Sequence, residues 1–195
     1  MIIVGLTGGI GSGKTYIAQK FQTLGIPIYN SDIRARELMM LDNELIENLK
    51  QLFGSEVYRN QKLNKTFIAE QIFKNKQLLQ KMNQLVHPKV QNDFELWSKQ
   101  HTDAPFIIKE AAILIESGAY KQCNYIIVIL APKTLRMERV MNRDNMSHEQ
   151  FVNILNNQLS DKERLEFANF TIRNDGTEEV DQKVNAIYQQ IVSKK

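Results

Sequence analysis

The stretch GLTGGIGSGKT, Gly5 to Thr15, restricts this chain more than any other part of it. Gly8, Gly13, Lys14 and Thr15 meet the spacing G-x-x-x-x-G-K-[ST], and the apolar run IIVGLT reads as a short buried strand leading into it. Bare glycines let successive backbone N–H groups turn inward around an anion. A helix starting near Gly13 adds its unpaired amides at the same point. The expected triphosphate cradle is Gly8, Gly9, Ile10, Gly11, Ser12, Gly13, Lys14 and Thr15. Within it the Lys14 ammonium reaches the β- and γ-phosphates of ATP, and the Thr15 hydroxyl can ligate Mg²⁺. A dinucleotide fingerprint fails, because Lys14 stands where its last glycine belongs.

The rest of the chain alternates strand and helix. Tyr16, Ile17, Phe21 and Leu24 share one side of a helix over 13–24, which Gly25 ends. Further strands are expected at IPIY (26–29), over 106–114, at YIIVILA (125–131) and at FTI (170–172), with a final helix over 178–192. That order implies an α/β fold: a P-loop, three-layer α/β/α core around a parallel sheet of about five strands. Between Ser31 and Asp103 the alternation stops. This stretch holds no convincing strand but helix-like pieces at 33–53, 66–74, 76–86 and 88–100, with Pro88 at the first position of the last. The expected organisation is therefore 1–32 core, 33–100 helical acceptor-binding insert, 101–132 core, 133–165 helical lid and 166–195 core.

Composition narrows the classes. Cys123 is the single cysteine, which excludes an intrachain disulfide and a four-cysteine zinc site and suits a reducing compartment. The start MIIVGLT lacks a signal-peptide pattern, and no apolar run is long enough to span a membrane. A net charge of +3, with scattered Lys and Arg, suits a phosphate-rich small ligand as well as nucleic acid. With no nucleic-acid-binding signature either, the expectation is a cytoplasmic protein with a small-molecule substrate, no nucleic-acid or membrane partner, and a monomeric state. The loop alone serves GTPases, regulatory ATPases, motors and small-molecule kinases alike. A guanine-reading N-K-x-D is missing from APKTLR after YIIVILA, which lowers the GTPase reading.

Several side chains have chemistry to offer. Asp32 follows the second strand as the glycine loop follows the first, so the two can share one crevice; it is a candidate base or, equally, a helix cap. Glu110 at the end of the third strand can hold Mg²⁺, and Glu116 can orient the substrate. Arg136, Arg139 and Arg143 recur at helical spacing, so an anion on that side would relieve their repulsion. His87, before Pro88, is a hinge or a substrate contact.

Taken in order, GLTGGIGSGKT, Asp32, LVHPKV (85–90), AAILIESG (111–118), RMERVMNRD (136–144), Gln158 and FANFTIRNDG (167–176) resemble the dephospho-coenzyme A kinase family. The resemblance implies ATP-dependent phosphorylation of the 3′-hydroxyl of 3′-dephospho-coenzyme A. It implies that Gly11 to Tyr16 wrap the ATP phosphates, that Asp32 is the base, and that His87 lies near the acceptor. It makes Arg139 and Arg143 lid arginines and puts Asn174 near the adenine, with the inserted helices holding the acceptor. Departures from the family pattern are Glu110 for a usual Asp, Ala112 for Pro, Arg136 for Gln, Ile154 for Arg and Arg164 for Lys. Outside this family, another P-loop nucleoside, nucleotide or sugar kinase and an ATP-sensing interaction module remain open.

Overall fold

The computed structural model describes every residue except Asn145, Glu178 and Lys195, and gives backbone alone for Phe73, Lys74 and Lys76. The described chain divides into two compact units, Met1–Asn30 with His101–Lys195, and Ser31–Gln100.

The first unit is the sheet unit. Its elements begin with β1 (Ile3–Gly8), α1 (Lys14–Thr23) and β2 (Ile28–Asn30). The second unit supplies α2 (Ser31–Leu41), α3 (Asn43–Phe53), β3 (Tyr58–Arg59), β4 (Lys62–Leu63), α4 (Lys65–Lys74) and α5 (Lys76–Ser98). The chain then returns through β5 (Ile107–Glu110), β6 (Tyr125–Leu130), α6 (Lys133–Asp144), α7 (His148–Asn156), α8 (Asp161–Leu165), β7 (Phe170–Arg173) and α9 (Val180–Val192). Glu178, expected to begin the last helix, lies outside the described residues.

In the sheet unit five parallel strands lie in the order β2-β5-β1-β6-β7. Alternation along β6 assigns the two faces. Ile127 and Ile129 join Ile17 and Phe21 of α1 and Val184, Ile187 and Ile191 of α9. Ile126 and Val128 point the other way, to Ala111, Leu114, Tyr120 and Phe167. Register aligns Leu6 of β1 and Asn30 of β2 with Glu110 of β5. Parallel strands end on one edge, so β1 delivers the glycine loop beside Glu110. β5 stops at Glu110, short of the expected 114, because the chain bends into turns from Ala112 onward, where Leu114 is still buried.

The helical unit packs α5 against α2, α3 and α4. The expected helix over 33–53 is two, parted at Asp42, whose carboxylate accepts from Leu45 N at 2.9 Å and caps α3. A hairpin that the sequence did not announce joins β3 to β4 through Asn60 and Gln61, both at positive φ (51° and 59°). The expected break at Pro88 is absent: α5 runs through it from Asn75, whose side chain caps the start. Val86, Val90 and Phe94, four apart and buried, supply packing that outweighs one missing N–H donor. Among the described residues, no helix is long and apolar enough to cross a membrane.

Candidate active site

The loop between β1 and α1 closes on itself and on distant parts of the sheet unit. Ser12 N donates to Gly9 O at 3.1 Å, and Lys14 Nζ donates to Gly8 O at 3.0 Å. Gly13 has φ of +92°, and any Cβ there would collide with the Asn174 carboxamide. Only glycine fits both conditions. Asn174, at the end of β7 and 9% exposed, donates from Nδ2 to Ser12 O at 2.8 Å. At Gly9 the close neighbour is the Arg136 guanidinium, which occupies the space a Cβ would need.

A hydroxyl and a carboxylate meet at the foot of the loop. Thr15 Oγ1 donates to Glu110 Oε1 at 2.8 Å, and Asn30 Nδ2 donates to Oε2 at 2.9 Å. Glu110 is 2% exposed, so its charge is held away from bulk water. These oxygen donors fit Mg²⁺, which keeps several waters and takes one or two protein oxygens beside phosphate. Among the described residues no group of three or more His, Cys, Asp or Glu could hold a metal. An ion here would therefore take its remaining ligands from water and phosphate.

The arginines expected to form a lid divide. Arg139 donates from Nη2 to Asn174 O at 2.9 Å, while its Nη1 is buried without a hydrogen bond. A guanidinium with a spare, desolvated donor beside Gly13 is suited to an anion. Arg143 instead is exposed and pairs twice with its neighbour Asp144, at 2.9 and 2.7 Å. Arg136 is buried and bonds Asp161 Oδ1 at 3.3 Å. Tyr16 is exposed, with Lys20 Nζ 5.3 Å from its ring centre. Glu116 accepts from Leu159 N at 2.9 Å and pairs with the buried Arg164 at 3.3 Å.

The sheet unit thus gathers the loop, Glu110, Arg139 and Asn174. Asp32 and His87 belong to the helical unit. Asp32 stands in the first turn of α2, where the partial positive charge of unpaired amides favours a carboxylate. His87 lies within α5, and burial lowers its pKa from the ordinary value of 6.5. The contacts of Asp161, Arg164 and Gln158 went unassigned in the sequence. The one local signal was Ser160-x-x-Glu163, whose capping box starts α8.

A family model described as "CoaE: Dephospho-CoA kinase" matches residues 2–179. A protein of Bacteroides fragilis (strain YCH46) named dephospho-CoA kinase is 39% identical over 175 residues, covering 90% of this chain and 85% of that one. The crystal structure of TT1252 from Thermus thermophilus has a TM-score of 0.84 at 27% identity, with 97% of each chain covered. The dephospho-CoA kinase from Campylobacter jejuni agrees in fold, with a TM-score of 0.71 at 24% identity and 98% of each chain covered.

Proposed function

This chain belongs to the dephospho-coenzyme A kinase family, and from that premise we propose how its residues share the reaction. The reaction moves the γ-phosphoryl group of ATP onto the ribose 3′-hydroxyl of 3′-dephospho-coenzyme A, giving ADP and coenzyme A as the last step of coenzyme A synthesis. In the proposed division the loop from Gly8 to Tyr16 cradles the phosphates. Lys14 exchanges the carbonyls of Gly8 and Gly9 for the β- and γ-phosphates. Arg139 spends its spare N–H on the transferring group, and Arg143 joins it by releasing Asp144. Asn174 sits beside the adenine. Thr15 and Glu110 hold Mg²⁺, which supplies charge neutralisation at the phosphate oxygens when bound.

On the acceptor side Asp32 orients the 3′-hydroxyl or takes its proton as the bond to phosphorus forms. His87 and Glu116 contact the acceptor. A monomer working in the cytoplasm on this small molecule, without nucleic acid, completes the reading.

The observation that carries it is the Thr15–Glu110 hydrogen bond, which joins the loop's hydroxyl to a buried carboxylate on the neighbouring strand. The acceptor half is tested by Asp32→Asn. Its kcat is expected to fall by about 10²–10⁴-fold with the ATP dissociation constant nearly unchanged. A kcat close to wild type would return Asp32 to helix initiation.

A further inference from the structure

One phosphate-loop amide is held by a side chain from the far end of the chain. Gln158, between α7 and α8, accepts from Ile10 N through Oε1 at 2.9 Å. A backbone N–H can only donate, so the carboxamide must turn its oxygen, not its NH₂, to the loop. The neighbouring residue is anchored too, since Leu159 N donates to Glu116 Oε1 at 2.9 Å. Fully buried Arg164 donates to that same Glu116 oxygen and to Asp161 Oδ1, both at 3.3 Å. Arg136, from α6, ends the chain of charges on Asp161 Oδ1 at 3.3 Å while its guanidinium lies against Gly9. Two adjacent loop residues, Gly9 and Ile10, thus meet Arg136 and Gln158, which are linked through the Leu159 backbone N–H, Glu116, Arg164 and Asp161.

We propose that Gln158 is a positioning residue of the phosphate loop, and that the ion chain Glu116–Arg164–Asp161–Arg136 holds Gln158 in place. A phosphate cradle works when its amides converge before the ligand arrives, because each donor that must be ordered on binding subtracts from affinity. Ile10 and Gly11, the latter at a φ of +76°, are the central residues of a turn closed within the loop by Ser12 N donating to Gly9 O at 3.1 Å, a bond that leaves the Ile10 amide itself unengaged. The Gln158 oxygen takes up that amide and adds a second restraint from outside the loop. It acts on ATP and leaves the acceptor side untouched.

The inference rests on the loop being the ATP site. The test is Gln158→Met, which keeps the side chain's length and removes the acceptor. In the ligand-free protein, exchange of the Ile10 amide is expected to speed up by roughly tenfold. ATP binding is expected to weaken by about five- to tenfold, with the KM for dephospho-coenzyme A and the thermal midpoint unchanged. Asp161→Asn, which loosens the ion chain but leaves Gln158, is expected to shift both readouts the same way and less. Wild-type Ile10 exchange and ATP affinity in Gln158→Met would overturn the proposal. So would a parallel rise in both KM values with a lowered midpoint, which marks general destabilisation. Retained ATP binding in Lys14→Ala would instead overturn the reading of the loop itself, so the two failures are distinguishable.

Discussion

Around the phosphate loop, hydrogen bonds join residues far apart in the chain: Ile10 with Gln158, Ser12 with Asn174, Thr15 with Glu110. These contacts are buried or half-buried. In the helical unit, Arg34 pairs with Glu37 and Lys50 with Glu47, one turn away and at the surface. Where charges there do join separate helices, as in Arg34–Asp93 and Lys89–Asp42, both partners stay partly exposed. Exposed pairs contribute little, so the helical unit is held chiefly by apolar side chains such as Leu45, Leu49 and Phe94. The contrast is between donors committed in advance and polar faces left adjustable. A triphosphate presents the same oxygens every time and rewards fixed amides; if the helical unit holds the long, flexible acceptor as proposed, side chains that can still move suit it better.

That contrast breaks if the buried polar contacts of the sheet unit prove dispensable. Glu110→Gln keeps an acceptor for Thr15 but removes the charge. The Mg²⁺ concentration for half-maximal rate is expected to rise by about 10–100-fold. Unchanged Mg²⁺ dependence would show that Glu110 only pairs with Thr15 and Asn30.

A smaller effect sharpens the other side. His87 is held below its ordinary pKa by burial, so the unfolded chain binds its proton more readily than the folded one. The sign follows: stability is full above about pH 6.5, and falls as pH drops from there toward the lower folded value. Denaturation of the whole chain followed from about pH 7.5 down to 5.5 is expected to lose less than about 1 kcal/mol to this residue. His87→Gln should flatten that part of the profile. An identical slope in the variant would mean that burial of His87 does not couple to folding.

What could be read without coordinates follows the same division. The loop was legible because its signal is contiguous and sits between a strand and a helix. The strands of the parallel sheet were legible because both its faces are covered, which makes runs such as YIIVILA uniformly apolar. Boundaries were harder where local and tertiary preferences compete. Pro88 is a helix breaker by its own chemistry, yet Val86, Val90 and Phe94 carry α5 across it. Asp42 reads as one more polar residue in a helix, and acts as a cap. Gln158 and Arg164 carried family resemblance and a departure from it, but no mechanism. Their meaning depends on partners such as Ile10 and Glu116, which only folding brings near.

The central claim is that a cradle of backbone amides, completed by the Lys14 ammonium, hands the γ-phosphoryl group to an alcohol. It is tested most directly by mass-spectrometric measurement of 3′-phosphorylated product from Mg·ATP and dephospho-coenzyme A, comparing wild type with Lys14→Ala. The expected result is coenzyme A from the wild type and a rate lower by roughly 10²–10³-fold in the variant, with the thermal midpoint preserved. Turnover in Lys14→Ala equal to wild type would contradict the account.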